Sequence, residues 1–184
     1  MIDQLINTIK QDKTNWEKVR DFFPITEIAA KTILLSEGEI SNNIHFIREG
    51  CLRIWLNKDG KEITFQFFFE GQSVASIDSF LSNQPSMFTI ESIERSTVCS
   101  ISKNNFEQLL RLYPNFKEEL QELMLQRLKT YANLFISRIR DNPRERYEDL
   151  ITNYPEIIKR VPQHYIASYL GITPISLSRI RNRK

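Results

Sequence analysis

Cysteine and histidine are scarce in this chain, and their scarcity removes several classes of chemistry. Cys51 and Cys99 are the only cysteines among 184 residues. Their separation fits no metal-binding pattern, and both sit in strand-like surroundings, so they read as buried, reduced thiols. The two histidines, His45 and His164, are far apart, and neither neighbours a plausible nucleophile. There is no H-E-x-x-H, and the five glycines form no phosphate-cradling loop. Acidic pairs such as Glu118-Glu119 sit in a helical pattern and read as solvated. No catalytic residue and no metal ligand is therefore assigned, and the chain is expected to be neither an enzyme nor the carrier of a resident cofactor. Apolar runs such as Phe67-Phe68-Phe69 are far too short to span a bilayer. The opening Met-Ile-Asp-Gln-Leu lacks the basic start and apolar stretch of a secretory signal. A cytoplasmic protein with no membrane partner is expected. Internal repeats and low-complexity segments are absent as well.

What is present is concentrated at the C-terminal end. Residues 162–184 read as a short helix, a turn at Gly171 and a second short helix with a basic tail. Two steeply crossed helices need a small residue at their contact, and Ala167 stands there; Gly171 tolerates the positive φ of the turn. Ile166, Leu170, Ile172, Leu177 and Ile180 have the spacing of a shared core. Thr173 suits the cap of the second helix, and Pro174 its first position. The outward face of that helix then carries Ile175, Ser176, Ser178, Arg179 and Asn182. This is the pattern of a helix-turn-helix and points to double-stranded DNA. A hairpin that merely packs on the rest of the chain is the alternative.

Charge points the same way. Residues 138–184 hold 10 Lys/Arg against 5 Asp/Glu, whereas the rest of the chain holds 15 against 18. A net charge of only +2 hides this asymmetry, and a basic end is what a nucleic-acid partner selects. Base edges would be read by Ser176 and Arg179, with Ile175 or Ser178 against a thymine methyl. Phosphates would be held by Lys159, Arg160, Arg181, Arg183 and Lys184.

Before this end the pattern changes twice. Residues 2–20 read as helix, from the stripe Ile2, Leu5, Ile6, Ile9, Trp16 and Val19. Short strands follow at 28–35, 45–47, 52–56, 61–69, 72–75, 88–93 and 98–101, with Asp59-Gly60 as the clearest hairpin turn. A helix is expected over 104–112, then a long one over 115–140, apolar over more than one stripe. One face of it would cover the strand domain. The other, with Leu120, Met124, Leu128, Tyr131 and Phe135, would pair with the same helix of a second copy. Pro143 opens another helix that stops at Asn153-Tyr154-Pro155. The fold class is α+β: a domain over 1–114 with an N-terminal β-roll of jelly-roll type, a dimerisation helix over 115–140, and a helix-turn-helix domain over 141–184.

This order resembles the Crp/Fnr family of bacterial transcription regulators over nearly the whole chain. Leu35-Ser36-Glu37-Gly38-Glu39 and His45 to Arg53 look like the opening glycine pattern of a cyclic-nucleotide-binding-type roll, and Gln163 to Arg181 matches the family's DNA-reading element. The resemblance implies a homodimer on DNA, with RNA polymerase as a further candidate partner. It also implies, for members that sense cyclic nucleotides, a Gly-Glu pair for the ribose and an arginine for the cyclic phosphate. Ala75-Ser76 and Ser86-Met87 stand at those places, and 81–85 contains no base. Cyclic AMP is therefore not expected to bind in the family's usual way, and any effector is unknown. Asp78, Ser79, Ser86 and Thr89 are the polar candidates to line a pocket, or only to satisfy turns. The cysteines that would hold an iron–sulfur cluster before Cys51 are missing. The β-wing that usually precedes the reading helices looks reduced to Glu156–Val161. The alternative function is a ligand- or protein-binding roll whose C-terminal helices do not read DNA.

Overall fold

The structure is a computed structural model and describes residues 13–114 and 116–182. Of the expected N-terminal helix, the stripe from Ile2 to Ile9 lies outside the described residues; α1 spans Lys13–Val19 and ends in a short 3-10 turn at Arg20–Phe22. The chain divides into two compact units at Pro114/Asn115, with residues 61–64 clustering with the second.

The first unit is built from eight strands: β1 (Ile25–Ile28), β2 (Ile33–Leu35), β3 (Asn43–Glu49), β4 (Leu52–Lys58), β5 (Lys61–Phe68), β6 (Ser73–Val74), β7 (Thr89–Ser92) and β8 (Ser96–Ser102). They form two four-stranded sheets, β1-β8-β3-β6 and β2-β7-β4-β5. Alternation along the strands turns Ile47, Leu52, Ile54, Phe68, Ile90 and Val98 into one buried apolar layer. Asp59 and Gly60 both have positive φ, as a two-residue hairpin loop between β4 and β5 requires. Gly50 has φ +103°, and a Cβ there would stand 2.7 Å from the Ser96 Cα, so this turn admits no side chain. Both cysteines are buried thiols outside any disulfide. His45 is buried with Nδ1 2.8 Å from the Ser100 Oγ. Burial lowers its pKa to about 4, which keeps the ring neutral near pH 7.

Two expectations change here. The single strand over 28–35 is two strands in different sheets, separated by a turn in which Lys31 has φ 63° and the Thr32 hydroxyl donates to the Ala29 carbonyl. No glycine or proline marks that turn. A helix not expected from the sequence, α2 (Ile77–Ser82), follows β6 and ends on Asn83 in the left-handed conformation. Arg53, in the strand expected over 52–56, is fully buried. Its Nε and Nη2 donate to the Glu91 Oε2 at 3.0 and 2.6 Å. The two residues face each other across β4 and β7.

The roll is closed by α3 (Lys103–Leu112), capped by the Ser102 hydroxyl, which accepts from the Asn105 N–H. In the second unit, α4 (Phe116–Arg140) is 25 residues long, about 37 Å at 1.5 Å per residue. A capping box of Asn142 and Glu145 with Pro143 at the first turn starts α5 (Pro143–Asn153). Helices α6 (Pro155–Arg160), α7 (Gln163–Leu170) and α8 (Pro174–Asn182) complete it. Where a reduced β-wing is expected, residues 155–160 are helix: Pro155 starts a turn that the Val161 N–H closes onto the Ile157 carbonyl. No strand lies among the described residues from 141 to 182.

Candidate nucleic-acid interface

The helix-turn-helix forms as its spacing requires. Ala167 is fully buried, as are Ile166, Leu170 and Leu177, while Ile172 and Ile180 are half-buried. Gly171 caps α7 with φ 69°, and its N–H donates to the carbonyls of Ala167 and Ser168. Thr173 caps α8 through its hydroxyl, which accepts from the Ser176 N–H at 3.1 Å.

That cap alters the reading of the outward face. The Ser176 hydroxyl lies 3.0 Å from the Thr173 hydroxyl, and the residue is half-buried. It does not share the open face of Arg179. At 100° per residue, Ile175, Ser178, Arg179 and Asn182 fall within one arc opposite Leu177 and Ile180. All four are exposed, Ile175 to 67%. Arg181 is exposed on the flank. Arg183 and Lys184 lie outside the described residues.

Much of the charge asymmetry is used within the unit. Arg146 donates to the carbonyls of Leu170, Arg138 and Asp141, and Arg138 donates to the Tyr169 carbonyl at 3.2 Å. Arg140 pairs with Asp141, Arg144 with Glu148 and Lys159 with Glu156. Arg138 and Arg146 brace α4 and α5 against the C-terminal end of α7. Burial raises the Tyr169 phenol to about 12, so it stays protonated. Arg160 is half-buried. Arg179 and Arg181, by contrast, make no hydrogen bond or ion pair among the described residues. The pair expected to hold phosphate from the wing region, Lys159 and Arg160, is thus less available than Arg181.

The long helix α4 buries none of its side chains in the described chain. Of the residues expected at a self-interface, Leu128 and Phe135 are open, at 65% and 66%, whereas Leu120, Met124 and Tyr131 are half-buried. The open stripe is completed by Leu125, Ile136 and Ile139. Leu125, Leu128, Ala132, Phe135 and Ile139 repeat at three and four, the spacing of a two-helix seam. None of Leu125, Ile136 and Ile139 is among the residues expected at the self-interface.

In the roll, the segment that would meet a cyclic phosphate is filled by its own bonds. Ser86 donates to the Phe88 carbonyl, and its backbone pairs with Gly38 and Glu39. Ser79 accepts from the Ser41 N–H and donates to the Gln84 carbonyl, and Thr89 accepts from the Glu37 N–H. Asp78 is exposed on α2. Ser79 and Ser86 close turns and Asp78 faces solvent, while Thr89 lines an open depression with Ser36, Glu37, Gly38 and Trp55. The buried Arg53 offers no substitute cation. Its neighbours Leu52 and Ile54 face the core, so alternation turns Arg53 to the other side of the sheet, onto Glu91. The residues present do not fit a cyclic phosphate held in the usual way.

Residues 25–113 match the cyclic nucleotide-binding domain family, which covers the roll and α3. The anaerobic regulatory protein of Pasteurella multocida is 23% identical over 99% of this chain and 66% of its own length. The fumarate and nitrate reduction regulatory protein of Yersinia pestis is 24% identical over 99% of this chain and 72% of its own. The chain thus spans about two thirds of the length of the curated relatives it matches. Among solved structures, FixK2 from Bradyrhizobium japonicum superposes with a TM-score of 0.72 at 17% identity, over 88% of this chain and 83% of that one. The roll is thus similar to cyclic nucleotide-binding domains, and nearly the whole chain is similar to these regulatory proteins. Among the described residues, no helix is long and apolar enough to cross a membrane.

Proposed function

We propose that this chain is a DNA-binding transcription regulator that acts as a homodimer and does not use cyclic AMP in the family's usual way. The observation that carries this reading is the open face of α8. Ile175, Ser178, Arg179 and Asn182 project from a helix fixed by the Gly171 turn and the Thr173 cap. No acid lies on that helix. A helix so presented enters a major groove, and a guanidinium there meets the O6 and N7 of guanine with two parallel hydrogen bonds. Arg181, with Arg183 and Lys184, supplies phosphate contacts that orient the helix.

Pairing through Leu125, Leu128, Phe135 and Ile139 of α4 gives the two copies a common two-fold axis. Their reading helices then meet successive major grooves about one turn apart, roughly 34 Å. The roll carries no cation at the cyclic-phosphate place, so DNA binding on this reading needs no cyclic AMP. Cytoplasmic location and contact with RNA polymerase belong to the same reading.

Selection of bound fragments from random duplexes, with no small molecule added, tests the proposal. A two-fold symmetric motif with half-sites one helical turn apart supports it. Recovery of unenriched DNA alongside a tight protein or small-molecule ligand favours a roll module whose C-terminal helices do not read DNA.

A further inference from the structure

Ile175 is an oddity on the reading helix. It is 67% exposed, on a face otherwise made of Ser178, Arg179 and Asn182. The fold does not need it there, because Thr173 caps the helix, Pro174 begins it, and Leu177 seals it to α7. A large branched apolar side chain left in water gains only when something apolar covers it. The major groove offers one prominent apolar feature, the C5-methyl group of thymine. Helix α8 also carries no carboxylate, so it has no strong acceptor for the N4 amino group of cytosine.

Resting on the regulator reading above, we infer that Ile175 selects a thymine through its methyl group, next to a guanine held by Arg179. The two side chains are four residues apart, about 6 Å along the helix axis. Two base steps span about 7 Å. With α8 lying along the groove, each half-site therefore carries thymine and guanine within two steps of one another. Cytosine is not required on the strand facing Ile175. The contact is one of shape and desolvation, so it discriminates thymine from its unmethylated counterpart without any change in hydrogen bonding.

Replacing thymine by deoxyuridine tests this directly, because only the methyl group is lost. In the selected duplex each thymine is exchanged in turn, and affinity is measured by fluorescence anisotropy at one fixed salt concentration. One thymine per half-site is expected to be sensitive, with a loss of about fourfold, the size of one buried carbon. Exchange in both half-sites gives a loss of roughly tenfold or more. Ile175→Ala is expected to bind the thymine and uracil duplexes within about twofold of one another, and Ile175→Val to keep most of the difference. The exposed site makes both variants stable, and an unchanged melting temperature verifies it. A wild-type protein indifferent to every exchange overturns the inference, as does an Ile175→Ala variant that still prefers thymine. Equal wild-type binding to selected and random duplexes, seen before any exchange, overturns the regulator reading itself.

Discussion

Phe135→Ala removes the largest open side chain of the α4 stripe. The ring is 66% exposed in the single chain, so its loss costs the folded protomer almost nothing, and alanine favours the helix. In the pair the same ring becomes buried. Full burial of such a side chain is worth about 1.5–3 kcal/mol, so covering the exposed two thirds is worth about 1–2 kcal/mol. A two-fold interface loses it twice, giving about 2–4 kcal/mol per dimer. That corresponds to a rise of roughly 30- to 700-fold in the dimer dissociation constant. Sedimentation equilibrium over nanomolar to micromolar concentrations measures it, and helical content by circular dichroism shows that the protomer is intact. Affinity for a two-half-site duplex should fall with dimerisation, while affinity for a single half-site should not. A dissociation constant within about threefold of wild type would refute the assignment of this stripe. The half-buried Tyr131 serves as a contrast, since its Ala variant should disturb the protomer as well.

Four further outcomes are expected. Arg179→Ala should cost about 1–3 kcal/mol on the selected duplex and much less on random DNA; equal loss on both would reject base reading. Arg181→Ala should weaken binding on all sequences and lower the salt slope by about one, and an unchanged slope would remove it from the phosphate contacts. Gly50→Ala forces a Cβ into the Ser96 backbone at φ +103°, so it should lower stability by at least about 2 kcal/mol, measured by urea unfolding. The neutral His45 binds its proton only near pH 4 when folded but near about 6.5 when unfolded. The unfolded chain therefore binds more protons between these values. Stability should fall as pH drops from about 6.5 towards 4, by up to about 3 kcal/mol. His45→Gln should flatten that slope; an unaltered slope would exclude this ring as its source.

The elements most legible in the sequence were those whose signal is local. Gly171, Thr173 and Pro174 each fix one backbone conformation, and the helix-turn-helix forms around them as their chemistry requires. Asp59-Gly60 announced its hairpin for the same reason. What escaped depended on partners far along the chain. The turn at Ala29–Thr32 is held partly by Ser92, whose hydroxyl reaches both segments, and nothing between 29 and 32 advertises it. Arg53 is buried because Glu91 stands opposite on the neighbouring strand, a pairing that no local pattern reveals. Charge misled in part, since a count cannot tell Arg146, which binds helix-end carbonyls, from Arg179, which binds none among the described residues. On α4 the helical period was plain. Which residues remain open was not, because that depends on what the protomer itself half-covers.

The central claim is that α8 reads DNA sequence without help from cyclic AMP. Its most direct test is the ratio of affinities for the selected duplex and a scrambled one, at one salt concentration, with and without cyclic AMP, for wild type and Arg179→Ala. The wild-type preference is expected to be about a thousandfold or more, unmoved by cyclic AMP and sharply reduced by Arg179→Ala. Equal affinity for both duplexes, or a preference that emerges only when cyclic AMP is added, would contradict it.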